Sequence, residues 1–232
     1  MAQSVSDDVE FLSQVTLFAN ADTDSLTRLS YLLKLHRYRR GEIIFHEDDP
    51  PGSLFLVKSG LVKVQLSSSD DKHLTIAWVR PLNFFGTISS VRGVPRPEAA
   101  IALEPTETLV LQREDLRAFL QEHPETALVF IDLLAARWLA GLELLQDVAF
   151  REVPGRLAKI LLRKGRAASQ LTTCGDEYNF LAPSQAELAA LVGATRESVN
   201  KSMQRFVHSG AIAYDGKHIR VLDPDALAQY LT

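Results

Sequence analysis

Arg196, Glu197, Asn200 and Lys201 are the residues of this chain best suited to specific recognition chemistry. They lie close enough in sequence to share the exposed side of one helix, away from Val199 and Met203. Arginine pairs bidentately with guanine O6 and N7, glutamate accepts from cytosine N4, and asparagine reads adenine. Lysine reaches a phosphate or a guanine as a point charge. Together the four side chains are those of a base-reading helix; the alternative is an ordinary solvated helix face.

The surrounding residues supply the frame that such a helix needs. Ser184-Gln185-Ala186-Glu187 is a capping box, which predicts a helix starting after Ser184 with Leu188, Ala189, Leu191 and Val192 on its apolar face. Gly193 stops that helix and permits a tight turn. Thr195 then caps a second helix, with Glu197 in its first turn and Val199, Met203 and Phe206 buried. Gly210 ends it, and the run from Ile212 to Val221 around Asp215-Gly216 predicts a β-hairpin. Two short helices about a glycine turn, followed by a hairpin, make a winged helix-turn-helix. Ser184, Gln185, Thr195, Ser198 and the hairpin residue Lys217 complete the candidate DNA-binding set.

No catalytic or metal-binding constellation competes with this one. The six histidines (His36, His46, His73, His123, His208 and His218) form no close pair with a carboxylate at metal-site spacing. Cys174 has no second cysteine for a disulfide or a Cys-x-x-Cys pair. Neither a phosphate-binding Walker loop nor a nucleophile elbow is present. The chain is therefore not expected to be an enzyme.

Charge supports the assignment of DNA contact to the C-terminal part. Residues 1–150 carry 14 Lys and Arg against 21 Asp and Glu, a balance of −7, whereas residues 151–232 carry 11 against 8, a balance of +3. With 46% hydrophobic and 23% charged residues, the composition is that of a globular protein with a real core. No apolar run is long enough to span a membrane, and Met1 to Glu10 is polar and acidic rather than signal-like. A cytoplasmic protein with no membrane partner is expected.

Upstream, the hydrophobic period changes twice. Residues 8–35 read as short helices. From about 36 to 112, short alternating runs that include Ile44, Phe55, Val57, Val62, Val64 and Leu66 are punctuated by glycine and proline, which predicts a β-sandwich or jelly roll. A short helix is predicted at 113–122 and a long one at about 125–149. The long helix carries Leu128, Ile131, Leu134, Trp138, Leu142, Leu145 and Val148, widened by Val129, Phe130, Leu133 and Leu144. A small barrel cannot cover so broad a stripe, so the same helix of a second chain is the simplest partner; a central core helix in a monomer is the alternative. The chain thus reads as an α+β protein. A β-roll with flanking helices occupies 1–123, a dimerisation helix and hinge 124–150, and the winged helix-turn-helix 151–232, with loop and a strand expected at 165–180.

These features resemble the cyclic-AMP receptor protein and fumarate–nitrate regulator family over nearly the whole chain. The run Ala189-Ala190-Leu191-Val192-Gly193-Ala194-Thr195-Arg196-Glu197-Ser198-Val199 is similar to that family's recognition motif, and Gly216-Lys217-His218-Ile219 to its wing. Also similar are His123-Pro124, Val148-Ala149-Phe150 before Gly155-Arg156, Gly41-Glu42-Ile43-Ile44-Phe45 and Val57-Lys58-Ser59-Gly60. The resemblance implies a cyclic-nucleotide-binding-like jelly roll with an effector-sensing role at 1–123, a homodimer, double-stranded DNA with TGTGA-like half-sites, and RNA polymerase as a further partner. At the third base-reading position the cyclic-AMP branch has arginine and this chain has Lys201.

The effector pocket departs further from the family pattern. Gly86 matches the phosphate cassette, but Thr87 replaces the ribose-binding glutamate, and Pro97-Glu98 falls where an Arg-Ser pair clamps the phosphate. Gly141-Leu142 falls where a Thr-Ser pair reads adenine. Glu98 would repel a phosphate, and strand alternation is expected to turn Arg96 away from the clamp position. The pocket candidates are Gly86, Thr87, Ile88, Arg96, Glu98, Ala99, Arg137, Gly141 and Leu142. Arg96, Glu98 and Arg137 serve either another ligand or an internal salt bridge. Accordingly, no cofactor is assigned, and the effector is either an unknown small molecule or none.

Overall fold

Alternating apolar residues between turn-forming glycines give the N-terminal half its strands, and a computed structural model of the chain shows how they assemble. It describes residues 2–69, 73–169 and 179–231; Cys174 lies outside them. The chain forms two compact units, Met1–Ser67 with Ile76–Ala140 and Ser68–Thr75 with Gly141–Thr232.

The first unit opens with helices α1 (Ala2–Gln14) and α2 (Thr23–Leu32), the latter capped by the Asp22 side chain. Strands β1 (Lys34–Tyr38), β2 (Ile43–Phe45), β3 (Leu54–Ser59), β4 (Val62–Ser67), β5 (His73–Val79), β6 (Phe84–Phe85), β7 (Ala99–Ala102) and β8 (Thr106–Leu111) follow, with a one-and-a-half-turn helix α3 (Thr87–Arg92) between β6 and β7. They form two four-stranded sheets, ordered β1-β8-β3-β6 and β2-β7-β4-β5. β8 pairs antiparallel with β1 and β3, aligning Val110 with both Lys34 and Phe55, and β7 lies between β2 and β4.

β3 departs from simple alternation because it is buried on both faces. Phe55 and Val57 face the roll interior with Phe45, Val62, Val64, Val79, Phe85, Ala100 and Val110. Leu54 and Leu56 belong to a second core with Phe84, Leu109 and Leu111, closed by Leu12, Phe18, Leu26 and Leu29 and by helix α4 (Arg113–Glu122) through Leu116 and Phe119.

Helix α5 (Pro124–Phe150) extends one residue beyond the expected 125–149 at each end and is shared by the two units. Its apolar stripe divides. Phe130 is buried in the helical core, with Leu133 and Leu134 packed partly against it. Leu128, Ile131, Trp138, Leu139, Leu145 and Val148 remain exposed.

In the second unit, α6 (Val153–Ser169) extends further into the segment expected to be loop, and β9 (Asn179–Leu181) supplies the expected strand. Asp147 near the end of α5 pairs with Arg151 and, at 2.6 Å, with Lys159 of α6. Leu157, Leu161 and Leu162 pack under α7 (Gln185–Val192) and α8 (Arg196–His208). The hairpin β10 (Ile212–Tyr214) and β11 (His218–Val221) pairs through β11 with β9, and α9 (Pro224–Ala228) follows. At Gly155 the backbone of α6 approaches the Tyr230 carbonyl so closely that a Cβ would collide with it.

Among the described residues no helix is long and apolar enough to cross a membrane. Nor, among them, do three His, Cys, Asp or Glu side chains gather in a way that could hold a metal ion.

Candidate nucleic-acid interface and effector pocket

The α7–α8 pair is set by local chemistry at each end. Ser184 Oγ accepts from the Glu187 backbone N–H at 3.2 Å, and the Ser184 N–H donates to Glu187 Oε2 at 2.7 Å, which closes the capping box. Gly193 adopts φ +61°, the left-handed conformation that ends α7 and turns the chain. Thr195 Oγ1 then accepts from the Ser198 N–H at 3.2 Å and starts α8. Val199, Ser202, Met203 and Phe206 anchor the inner face of α8.

Its outer face presents Arg196, Glu197, Asn200 and Lys201 to solvent. None of these four side chains makes a hydrogen bond or ion pair with a described residue, so their recognition groups are uncommitted. Gln204, Arg205 and His208 extend the same exposed face by one more turn. They escaped the motif-based reading because no family motif covers them, although their i+4 spacing from Asn200, Lys201 and Gln204 signals the shared face.

The flanking candidates Ser184, Gln185 and Thr195 sit at the N-terminal ends of α7 and α8. Ser184 and Thr195 spend their oxygens as caps, and Thr195 donates its hydroxyl proton to Ser198 Oγ at 2.9 Å. Gln185 lies at the start of α7 with its Oε1 buried and without a hydrogen-bond partner. In the hairpin, Gly216 at φ +90° allows the turn, and Asp215 Oδ1 accepts from the Lys217 and His218 N–H groups at 2.8 and 2.6 Å. Those two bonds hold the Asp215 carboxyl below its ordinary range and leave the Lys217 side chain exposed. Arg220, exposed on β11, adds a cation that the motif reading missed.

In the roll, Gly86 and Gly93, both left-handed, bracket α3, a helix that the sequence reading did not foresee. Thr87 is buried, whereas Ile88 is exposed on the outer side of α3. Arg96 was expected to turn away by strand alternation. It instead lies in the loop before β7, where alternation does not apply, and is only 3% exposed. Its guanidinium donates to the Gly86 carbonyl at 3.1 Å and to the Ser53 carbonyl at 2.9 Å, and stacks 4.3 Å from the centre of the Phe45 ring. A Cβ at Gly52 or Gly86 would lie 2.8 or 2.6 Å from this group, so the guanidinium packs directly on both glycines, and the φ of +77° at Gly86 favours glycine in its own right.

Glu98 is 5% exposed and makes no hydrogen bond, and no ion pair within 4 Å, to a described residue. Burial raises its pKa, while attraction from Arg96 and then Arg137 opposes the rise. Arg137 reaches back from α5 to the Phe84 carbonyl at 2.5 Å, with its guanidinium 4.1 Å from the Phe84 ring centre. The residue as a whole is solvent-accessible, yet crowding around the guanidinium lowers its pKa, partly offset by Glu98. Ala99 is buried beside Gln65 of β4. Gly141 is exposed on α5 and Leu142 half-buried. An open cavity of about 590 Å³ lies elsewhere on this unit, lined by Arg37, Tyr38, Arg39, Arg40, Glu42 and Pro105.

The profile of the cyclic nucleotide-binding domain matches residues 35–123, and that of the Crp-like helix-turn-helix domain matches residues 155–230. The CRP-like cAMP-activated global transcriptional regulator of Mycobacterium tuberculosis is 29% identical over 95% of this chain and 98% of its own length. The cyclic AMP receptor protein of Thermus thermophilus is 32% identical over 79% of this chain and 81% of its own. Among solved structures, the global regulator CLP of Xanthomonas campestris superposes with a TM-score of 0.76 at 22% identity, over 86% of this chain and 99% of that one. A chain with this β-roll, this helix-turn-helix and these relatives belongs to the cyclic-AMP receptor protein and fumarate–nitrate regulator family, and is a DNA-binding transcription regulator.

Proposed function

We propose that the chain acts in the cytoplasm as a homodimer that reads a two-fold palindrome with TGTGA-like half-sites and is ready for DNA without cyclic AMP. The observation that carries the DNA reading is the outer face of α8, whose Arg196, Glu197, Asn200 and Lys201 are exposed and uncommitted. Arg196 pairs with a guanine, Glu197 accepts from a cytosine and Asn200 contacts an adenine. Lys201 takes the third position as a point charge. Ser184, Gln185, Thr195 and Ser198 flank this face at the helix ends, where Ser184 and Thr195 act as caps that fix its register, and the exposed Lys217 of the hairpin contacts a phosphate.

The exposed residues of α5 support the dimer. Leu128, Ile131, Ala135, Trp138, Leu145 and Ala149 are exposed at the 3- and 4-residue steps of a heptad seam, with half-buried Leu142 completing it. Trp138 at 67% exposure and Leu145 at 62% would be poor choices for a helix that stays in water. Two symmetric recognition helices then call for a two-fold operator, and RNA polymerase is the machinery on which the bound dimer acts.

Independence of cyclic AMP follows from the cassette. Arg96, the cation nearest the expected phosphate clamp, is already hydrogen-bonded to two carbonyls, and Glu98, two residues on, is a buried residue. The matching cyclic nucleotide-binding profile and the name of the mycobacterial relative favour a second reading, a roll gated by a cyclic nucleotide or another small effector. Selection from a random duplex library without nucleotide tests the first reading. It should enrich two-fold symmetric TGTGA-like sites; asymmetric sites, or enrichment only when cyclic AMP is added, would contradict it.

A further inference from the structure

Residues 1–150 are acidic overall, yet three of their 14 cations, Arg37, Arg39 and Arg40, stand within four positions where β1 turns into β2. The turn is braced. The Glu42 N–H donates to the Arg39 carbonyl at 3.0 Å, and the Arg39 N–H donates to Glu42 Oε2 at 2.8 Å. Between them Gly41 is left-handed at φ +83°, and its N–H donates to the Ala102 carbonyl of β7 at 2.7 Å. The Ala102 N–H donates in turn to the Glu42 carbonyl at 2.9 Å. The backbone that carries the arginines is thus held in place before any ligand arrives, which lowers the ordering cost of binding.

The three arginines, with Tyr38, Glu42 and Pro105, line the open cavity of about 590 Å³. Arg37 is committed, because its Nε donates to Glu107 Oε1 at 2.7 Å. Arg39 and Arg40 are exposed, and neither guanidinium makes a hydrogen bond or an ion pair with a described residue. Arginine takes phosphate through paired N–H groups. A phosphate monoester carries about 1.5–2 negative charges at pH 7, which matches two free guanidiniums. Glu42 opposes any anion here, and the excess of the two arginines over it attracts a dianion twice as strongly as a monoanion such as a cyclic phosphodiester. Half-buried Tyr38 and Pro105 give the cavity an apolar wall, and its volume falls within the roughly 300–1,000 Å³ of small-molecule sites. A concave site of that size favours a small molecule over an acidic protein segment.

We propose that the cavity at the β1–β2 turn binds a small phosphate monoester, a sugar phosphate or a nucleoside monophosphate, with its phosphate on Arg39 and Arg40 and its organic body on Tyr38 and Pro105. None of these residues belongs to the recognition face of α8 or to the effector-pocket candidates, so the site does not depend on whether cyclic AMP gates the protein.

Full-length wild type, Arg40→Gln and the double variant Arg39→Gln/Arg40→Gln are titrated by calorimetry at low salt with 5′-AMP, glucose 6-phosphate, inorganic phosphate and cyclic AMP. Both side chains are exposed and unbonded, so the substitutions should leave the circular dichroism unchanged. Wild type should bind at least one of the two monoesters at submillimolar concentration, more tightly than inorganic phosphate. Arg40→Gln should weaken that binding about tenfold and the double variant about a hundredfold, the scale of hydrogen bonds to charged groups. Arg117→Gln, at an exposed arginine of α4 outside the cavity, should change nothing. Any affinity for cyclic AMP should be the same in all four proteins.

No binding of either monoester at millimolar concentration, or equal binding by wild type and the double variant, overturns the proposal. Inorganic phosphate bound as tightly as the esters overturns the place given to Tyr38 and Pro105 and makes the ligand free phosphate. A polyglutamate peptide that binds wild type where the monoesters do not also overturns it, because the turn would then be a contact for an acidic protein.

Discussion

Leu145→Asp is the perturbation that separates a paired α5 from a solitary one. Leu145 is 62% exposed and belongs to none of the three cores, so the substitution should leave the fold of each chain intact. Fully burying a leucine side chain is worth about 1.5–3 kcal/mol, so the exposed part of Leu145 holds about 1–2 kcal/mol that a partner could recover. A symmetric dimer contains the residue twice, which makes the lost apolar term about 2–4 kcal/mol. An aspartate forced into the seam adds the cost of desolvating two like charges, several kcal/mol more. The dimer constant should weaken by at least about a thousandfold, enough to give monomers at micromolar concentration. Light scattering coupled to gel filtration reads the outcome directly. Wild type should run at twice 25.8 kDa and Leu145→Asp at 25.8 kDa, with unchanged circular dichroism. Glu143→Lys, a charge change at an exposed position outside the seam, should leave the mass doubled. A Leu145→Asp protein still of twice the chain mass would refute the α5 interface.

Other expectations follow from the second unit. Arg196→Ala should cost about 1–3 kcal/mol of operator affinity and relax preference at one base pair, read by anisotropy on a set of single-substituted duplexes; an equal loss on every sequence would make Arg196 a phosphate contact. Thr195→Ala removes the cap that receives the Ser198 N–H and should lower the stability of this unit by about 1 kcal/mol, seen as an earlier thermal transition. Asp215 has a carboxyl pKa lowered below its ordinary 3.8, so its stabilising contribution is present above that value and is lost as pH falls through the lower folded value. Asp215→Asn keeps an acceptor but removes the charge, and should flatten the acid limb of a pH–stability curve followed by circular dichroism; an unchanged limb would mean that the hairpin turn does not contribute.

The parts of this molecule that were legible in its sequence are those determined by near neighbours. The capping box at Ser184, the left-handed Gly193 and the Thr195 cap each act within four residues, and they delimit α7 and α8 as the sequence reading expected. The roll strands and the long helix were legible from their periods. What stayed hidden depends on distant contacts. Periodicity alone could not divide the α5 stripe, because Phe130, Leu133 and Leu134 are claimed by a core assembled from α1, α2, α4 and the outer face of β3. Helix α3 is too short to show a period and is set by two flanking glycines. Arg96 was misplaced because a loop was read as a strand, and its partners Ser53 and Gly86 are 43 and 10 residues away. Glu98 could be read as a departure from a family pattern, but its burial and the guanidinium of Arg137 are products of the fold.

The central claim is that the ligand-free protein already recognises DNA through α8. Its most direct test is fluorescence anisotropy of the purified protein on a labelled TGTGA-N6-TCACA duplex at one stated salt concentration, beside a duplex with scrambled half-sites. The account predicts nanomolar, selective binding without nucleotide and no change on adding cyclic AMP. Binding that is equal on both duplexes, or that appears only with cyclic AMP, would contradict it.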